Sequence, residues 1–383
     1  MAKSSESPGS TEPRHSDVVI VGAGPAGLAT AYELQRRSIE CRVLERGDRP
    51  GFTWAHLYDS LILHTGRHLS ALPGRPLPRS LPLFVPRAAY ADYLADYAKS
   101  LHAPIETGVA VTRIEHAGAN WQLHTSAGDY TSRALVMATG IVGNPYVPDF
   151  PGRAVYGGQV LHAAAYRRPA DLVGPRLLVV GAGNSGGELA SELAAAGRAV
   201  DIAIRSGVNV VPRDLAGIPT QYLAYAIQHW PRPLQRAIAS AVGRLAIWRR
   251  GRSPLPRTSL SPIDAIPLLG YHLDDAVRAG RIRVRPGLAR LTGSGAAFVD
   301  GSTENYDAIL LATGYRHELD ALGPLVRTDP TGHALRRDRV TSSDHDGLWF
   351  VGHNHDATGG LSNIARDAGA VATAIAGYLP QTP

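Results

Sequence analysis

The sequence predicts an α/β protein made of two parallel-sheet units, and three observations carry that expectation. An apolar run, a glycine-rich turn and a helical segment occur twice, as VVIVGAGPAGLATAYELQ from Val18 and as LLVVGAGNSGGELASELA from Leu177, so that Gly181 follows Gly22 by 159 residues. Two further apolar runs each end in Ala-Thr-Gly, at Ala138, Thr139 and Gly140 and again at Ala312, Thr313 and Gly314. Between these blocks, VAVTRIE, WQLHTSA and DYTSRALVMATG read as an antiparallel meander with Gly128 and Asp129 in a turn. Strand, glycine turn and helix in that order form the nucleotide-binding βα unit. The fold expected is therefore two Rossmann-like dinucleotide-binding domains of the three-layer ββα type.

Each glycine has a physical task. Gly22 makes the tight turn, Gly24 lets the backbone approach a pyrophosphate, and Gly27 lets the helix pack close to its strand; Gly181, Gly183 and Gly186 repeat those tasks. Ala23, Pro25 and Ala26 in the first loop, and Asn184 and Ser185 in the second, complete the two phosphate-facing turns. Free amide groups and the positive end of a helix dipole favour phosphate there without any lysine.

The copies diverge at the end of their second strands. Aligning CRVLERG with VDIAIRS places Glu45 opposite Ile204 and Arg46 opposite Arg205. An acid at this point accepts hydrogen bonds from two ribose hydroxyls, whereas an arginine accommodates a 2′-phosphate. The first unit is thus expected to hold FAD and the second NADPH, with Arg205 and Ser206 on the extra phosphate. A solvated strand-end arginine is the plainer alternative for Arg205.

Bulk properties narrow the class. At 383 residues the chain has room for two domains of ordinary size. Its single cysteine, Cys41, cannot form an intramolecular disulfide or a redox pair. Formal net charge is +6, but Lys3 and Lys99 are the only lysines and the arginines are spread along the chain, so no nucleic-acid partner is expected. Residues 1–16 are rich in Ser, Pro and charge and are expected to form a disordered tail, not a signal peptide. No segment has the apolar length to span a bilayer, and a cytoplasmic location is the default.

The remaining segments place themselves around the two motifs. From Gly51 the chain is turn-rich, and from Arg87 it has helical periodicity. The prolines of GNPYVPDFPG mark a linker. The domain expectation is residues 17–152 and 307–383 for FAD and 153–306 for NADPH, with a helical insertion at about 212–269. LQRAIASAVGRLAIWRRGR within that insertion reads as an ordinary packed helix with an arginine-rich solvent side; a cap over the site and a membrane-touching face are the alternatives.

With these motifs in place, the sequence resembles the flavin-containing monooxygenase family, and most of all its plant indole-3-pyruvate (YUCCA-type) branch and bacterial relatives. YGGQVLHAAAY is similar to the family pattern F-x-G-x-x-x-H-x-x-x-Y/F, with Gly158, His162 and Tyr166 in register and Tyr156 in place of Phe. LYDSLILHT resembles the plant branch, with His64 where animal-type members carry an active-site Asn. The resemblance implies that Glu45 holds the FAD ribose with Arg46 beside it, that Val111 meets the adenine through its backbone, and that Trp54 lies beside the flavin. It also implies that a helix starting near Gly360, with Leu361 in its first turn, points its N-terminus at the pyrimidine end of the isoalloxazine. Asp356 is either a ribityl ligand or that helix's N-cap. The Ala-Thr-Gly ends, including Tyr315 after the second, face the cofactors.

The activity implied is an NADPH-dependent monooxygenation that passes one oxygen atom of O2 to a small organic substrate by way of a C4a-(hydro)peroxyflavin, on a 2-oxo acid or a nitrogen or sulfur nucleophile. No metal is expected, because His64, His68, His162, His353 and His355 lack ligand spacing. His64 is the candidate titrating group near the flavin, or else a hydrogen-bonded structural histidine. Three rivals stand beside this reading: a disulfide reductase, which the lone Cys41 cannot supply; a flavin oxidase or electron-transfer protein; and a non-catalytic NADPH sensor.

Overall fold

A computed structural model describes residues 12–262, 264, 267–354 and 356–379. Most of the expected tail, residues 1–11, and His355 lie outside the described residues.

Two five-stranded parallel sheets form the frame. The first runs in the order Leu348–Phe350, Ala134–Met137, Val18–Val21, Arg42–Glu45, Ile105–Thr107. Its strands read as near-continuous apolar runs because both faces are buried. Val18, Ile20, Val43 and Val136 point to one side, against the helices Pro25–Gln35, Arg87–Lys99 and Gly360–Tyr378. Val19, Val21, Leu44, Leu135 and Met137 point to the other, against Ile114, Trp121, Leu123 and Tyr130 of the antiparallel meander Val111–Ala117, Asn120–Thr125 and Gly128–Ser132. Period-two alternation thus splits one sheet between two cores.

The second sheet repeats the plan in the order Gln159–His162, Ala308–Leu311, Arg176–Val180, Ala199–Ala203, Ile282–Arg285. Leu177, Val179, Val200 and Ile202 meet Leu189 and Leu193 of the helix Asn184–Ala195 together with Leu273 and Ala276. Leu178, Val180, Ala203 and Ile309 meet Leu291, Ala296, Phe298 and Tyr306 of a second meander. Each unit is therefore a ββα sandwich.

Three expectations need correction. The chain does not return to the first unit at residue 307, because Ala308–Leu311 pairs on both sides within the second sheet, Leu310 with Leu161 and with Val179. The reason is local: each glycine turn needs an Ala-Thr-Gly strand end against it, so the second copy serves the second turn. The return follows Gly314, where Tyr146 N–H donates to Gly314 O and Arg316 N–H to Asn144 O, so the outgoing and incoming linkers run side by side. Within the expected tail, Arg14–His15 forms an edge strand parallel to Tyr130 and Thr131. The open edge of the meander recruits it, and Arg14 adds an ion pair to Glu106 at 2.9 Å. Finally, DYTSRALVMATG is not one strand, since it changes sheet at Arg133.

The insertion leaves after Val210–Val211 and comes back at Leu268–Leu269, two short strands paired in parallel. Between them stand the helices Thr220–Ile227 and Arg232–Arg250. Among the described residues no helix is long and apolar enough to cross a membrane.

Candidate active site

The first glycine turn, and the second motif through Asn184 and Ser185, open onto one cavity of about 1310 Å³ that is also lined by the insertion. Gly22 and Gly181 share a φ of +105°, which side chains rarely tolerate. A Cβ on Gly22 would lie 2.6 Å from the carbonyl oxygen of Ala138, and one on Gly181 2.5 Å from that of Ala312. On Gly27 and Gly186 it would meet the carbonyl oxygens of Gly22 and Gly181 at 1.8 and 2.0 Å. On Gly24 and Gly183 it would meet no protein atom within 4 Å. Protein packing therefore demands four of the six glycines and leaves the other two for close approach of a ligand. That pattern fits a dinucleotide pyrophosphate at the N-termini of Pro25–Gln35 and Asn184–Ala195.

Around the first turn, Gly22, Gly24, Pro25, Ala26, Glu45, Arg46, Trp54, Val111, Ala138, Thr139 and Gly140 line the cavity, whereas Ala23 and Gly27 stand behind it. Glu45 ends its strand buried, accepting the N–H of Ala23 at 2.7 Å and that of Gly47 at 2.8 Å. Each carboxylate oxygen keeps a further lone pair. Arg46 pairs with Glu318, Trp54 packs edge-on against Tyr90 at 4.8 Å, and Thr139 donates to Glu318 O at 2.8 Å.

Around the second turn, Asn184, Ser185 and Tyr315 line the cavity; Gly181, Gly183, Gly186, Thr313 and Gly314 do not. Asn184 Oδ1 accepts the N–H of Leu269 and so ties the returning insertion to the motif helix. Thr313 donates to Tyr146 O at 2.5 Å, matching Thr139 in the first unit. Arg205 and Ser206 are exposed beyond the strand Ala199–Ala203, outside the cavity lining. Arg205 makes no hydrogen bond or ion pair among the described residues, so its charge faces solvent.

The loop before the helix Gly360–Tyr378 brings Asp356 to the wall, and the first turn of the helix brings Leu361. Asp356 is not the N-cap, which is Gly359. Its Oδ1 accepts both the N–H and the hydroxyl of Thr358, two residues ahead of the helix. Burial pushes this carboxyl up, but those hydrogen bonds and Arg366 outweigh it and hold it below the ordinary range.

His64 lines the cavity on the strand Ile62–Gly66. Burial, and then the nearby charge of Arg213, push its pKa down to about 4, so the ring is neutral at pH 7. Its Nε2 lies 3.5 Å from Oε1 of Glu188, a neutral imidazole beside a carboxyl group that burial pushes up. Its buried Nδ1 makes no hydrogen bond among the described residues. Tyr58 donates to the other oxygen of Glu188 at 2.5 Å. Tyr58, Glu188 and Arg213 were not legible in the sequence. Glu188 is a polar position on a small-residue helix face, and its partners Tyr58 and His64 come from a segment more than 120 residues earlier in the chain.

The motif around His162 does not reach the cavity: Tyr156, Gly158, His162 and Tyr166 are all absent from its lining. His162 Nδ1 accepts the N–H of Ala164 at 3.0 Å, which places the ring proton on Nε2, 3.2 Å from Gly314 O. Tyr315 packs edge-on against this ring at 5.3 Å. The motif thus braces the second Ala-Thr-Gly end from behind.

With this geometry established, comparison with known proteins places the chain. A family model described as pyridine nucleotide-disulphide oxidoreductase matches residues 19–215. Indole-3-pyruvate monooxygenase YUCCA1 of Oryza sativa subsp. japonica is 34% identical over 371 residues, covering 91% of this chain and 90% of that protein. The chain belongs to the flavin-containing monooxygenase family. Indole-3-pyruvate monooxygenase YUCCA6 of Arabidopsis thaliana is also 34% identical, over 80% of this chain and 79% of its own. A solved variant of the flavin monooxygenase from Stenotrophomonas maltophilia superposes with a TM-score of 0.75 at 25% identity, covering 95% of this chain and 99% of that one. Membership agrees with the cysteine chemistry, since Cys41 is buried and its thiol is pushed up to about 12, which leaves no dithiol for disulfide reduction. This flavin-containing monooxygenase uses FAD and NADPH to insert one oxygen atom of O2 into a small organic substrate.

Proposed function

We propose that the first unit holds FAD, the second docks NADPH through Arg205 and Ser206, and the substrate is a 2-oxo acid of the indole-3-pyruvate type. The observation that carries the substrate class is the 34% identity to indole-3-pyruvate monooxygenases along nearly the whole chain. The reaction for such a substrate balances as 2-oxo acid plus O2, NADPH and a proton giving the shortened carboxylic acid, CO2, water and NADP+. A nitrogen or sulfur nucleophile is the second reading of the substrate.

Bound FAD supplies the two-electron acceptor for NADPH and the place where dioxygen is activated. The chain supplies the rest. The glycine turns and their helix N-termini take the two pyrophosphates, Glu45 takes ribose hydroxyls, and the N-terminus of Gly360–Tyr378 favours negative charge beside Leu361. The insertion is tied across the cavity: Tyr222 hydrogen-bonds His68 at 2.6 Å, Gln228 pairs with Arg366, and Arg213 donates to Leu63 O at 2.8 Å. Excluding water protects an activated oxygen species from wasteful loss. Neutral His64 presents an imidazole that can hold a hydrogen bond at Nδ1 without adding charge. We also place the working enzyme in the cytoplasm.

The test is NADPH consumption in air, with peroxide measured, as 2-oxo acids, amines and thioethers are added in turn. Release of one CO2 per NADPH with little peroxide supports the 2-oxo acid. Oxygenated amine or thioether without CO2 supports the second reading, and peroxide with every compound overturns both.

A further inference from the structure

The helix Arg232–Arg250 walls the cavity with one face and leaves the other without a partner among the described residues. Ala239, Val242, Ala246 and Ile247 belong to the cavity lining. On the opposite side Leu234, Ala241, Leu245 and Trp248 recur at offsets of 7, 11 and 14 residues, which align on one helical stripe. Trp248 is 80% exposed, Leu234 45% and Leu245 41%, and Trp230 just before the helix is 48% exposed. Of the helix's 19 residues only Gln235 is buried. This corrects the expectation of an ordinary packed helix, for which one apolar stripe would suffice.

The charge beside the stripe has one sign. The helix carries Arg232, Arg236, Arg244, Arg249 and Arg250 and no acidic residue. Arg236 is paired with Asp264 and Arg250 with Asp275. Arg249, which flanks the stripe, and Arg252 just after it have no ion pair among the described residues and stand outside the cavity lining, whereas Arg244 lines the cavity. A second copy of this chain would bring like charges together across such a face. An anionic lipid surface would instead neutralise the arginines while the indole and leucines enter the headgroup boundary, where amphipathic aromatic rings settle.

We infer that the Leu234–Leu245–Trp248 face of the insertion helix docks the enzyme on an anionic lipid bilayer, with Arg249 and Arg252 at the headgroups. The helix lies on the surface and does not cross it. Docking there sets the cavity's wall helix against the bilayer, and it requires no change at either dinucleotide turn.

The experiment uses FAD-loaded full-length protein and vesicles of phosphatidylglycerol mixed with phosphatidylcholine, against phosphatidylcholine alone. The protein is expected to sediment with the anionic vesicles only, less as salt rises, and to show Trp emission quenched by brominated acyl chains. Trp248→Ser is expected to abolish that quenching, and Arg249→Gln with Arg252→Gln to weaken partitioning by roughly fivefold per arginine at low salt. Anaerobic bleaching of the flavin by NADPH is expected to stay unchanged in both variants, which separates lost docking from lost folding. Absence of sedimentation with anionic vesicles, equal sedimentation of Trp248→Ser and wild type, or a solution dimer that Trp248→Ser dissolves would each overturn the inference; the last would assign the face to a second copy.

Discussion

Gly181 lies against the carbonyl oxygen of Ala312 as Gly22 lies against that of Ala138, so each dinucleotide turn is closed by its own Ala-Thr-Gly strand end. This pairing sorts the motif glycines into those the protein itself needs and those a ligand needs, and the two kinds respond differently to substitution.

Gly24→Val is expected to give soluble, folded, colourless protein. Its Cβ meets no described protein atom within 4 Å and would stand in the space proposed for the pyrophosphate. Flavin content per chain should fall at least about tenfold, the equivalent of 1.4 kcal/mol. Gly27→Val, whose Cβ would sit 1.8 Å from the Gly22 carbonyl oxygen, should instead fail to accumulate as folded protein. Far-UV circular dichroism and the 450 nm absorbance of both variants measure the contrast; equal behaviour would refute it.

Arg205→Ala is expected to raise KM for NADPH by about 10- to 100-fold, the loss of a charge-assisted hydrogen bond of roughly 1.5–3 kcal/mol. KM for NADH should change by less than about twofold, because it lacks the phosphate that Arg205 would meet. Steady-state kinetics with both nucleotides decide it.

His162→Ala is expected to lower the thermal midpoint and leave flavin stoichiometry intact. It leaves the Gly314 carbonyl and the Ala164 amide without this partner, at about 1–3 kcal/mol, and the ring does not line the cavity. A colourless but thermally unchanged variant would return the residue to the cofactor site.

His64 has a pKa depressed below that of the unfolded chain, so folding releases protons from it at low pH. Its contribution to stability is complete above the unfolded value near 6.5 and is lost progressively as pH falls toward about 4. His64→Gln should therefore lose less thermal stability than wild type between pH 7 and pH 4.5. The activity profile of the wild type should show no ionisation near 6.5 that His64→Gln removes.

Much of this was legible in the sequence because the glycine motifs and strand ends are local. A turn with positive φ, a close helix and an acid or arginine at a strand end are each written in a few adjacent residues, as at Gly22 and Glu45. The domain return was misplaced at residue 307 because the Ala-Thr-Gly strand carries no mark of which sheet it joins; only pairing with Leu177–Val180 decides that. The Tyr58–Glu188–His64 cluster was invisible for a similar reason. Its members are 124 residues apart from His64 to Glu188, and only the contacts of Tyr58 and His64 with Glu188 bring them together. The tail strand at Arg14 depended on an open sheet edge that no local pattern reveals.

Electron transfer from NADPH to a resident flavin that then meets oxygen is what two dinucleotide sites on one cavity require. Its most direct test is anaerobic titration of the purified yellow protein with NADPH, followed by admission of air in the presence of a 2-oxo acid. Bleaching of the 450 nm band with one NADPH per flavin is expected, then recovery of colour with one oxygenated product per NADPH. A flavin that never bleaches, or colour that returns with peroxide alone for every substrate, would contradict it.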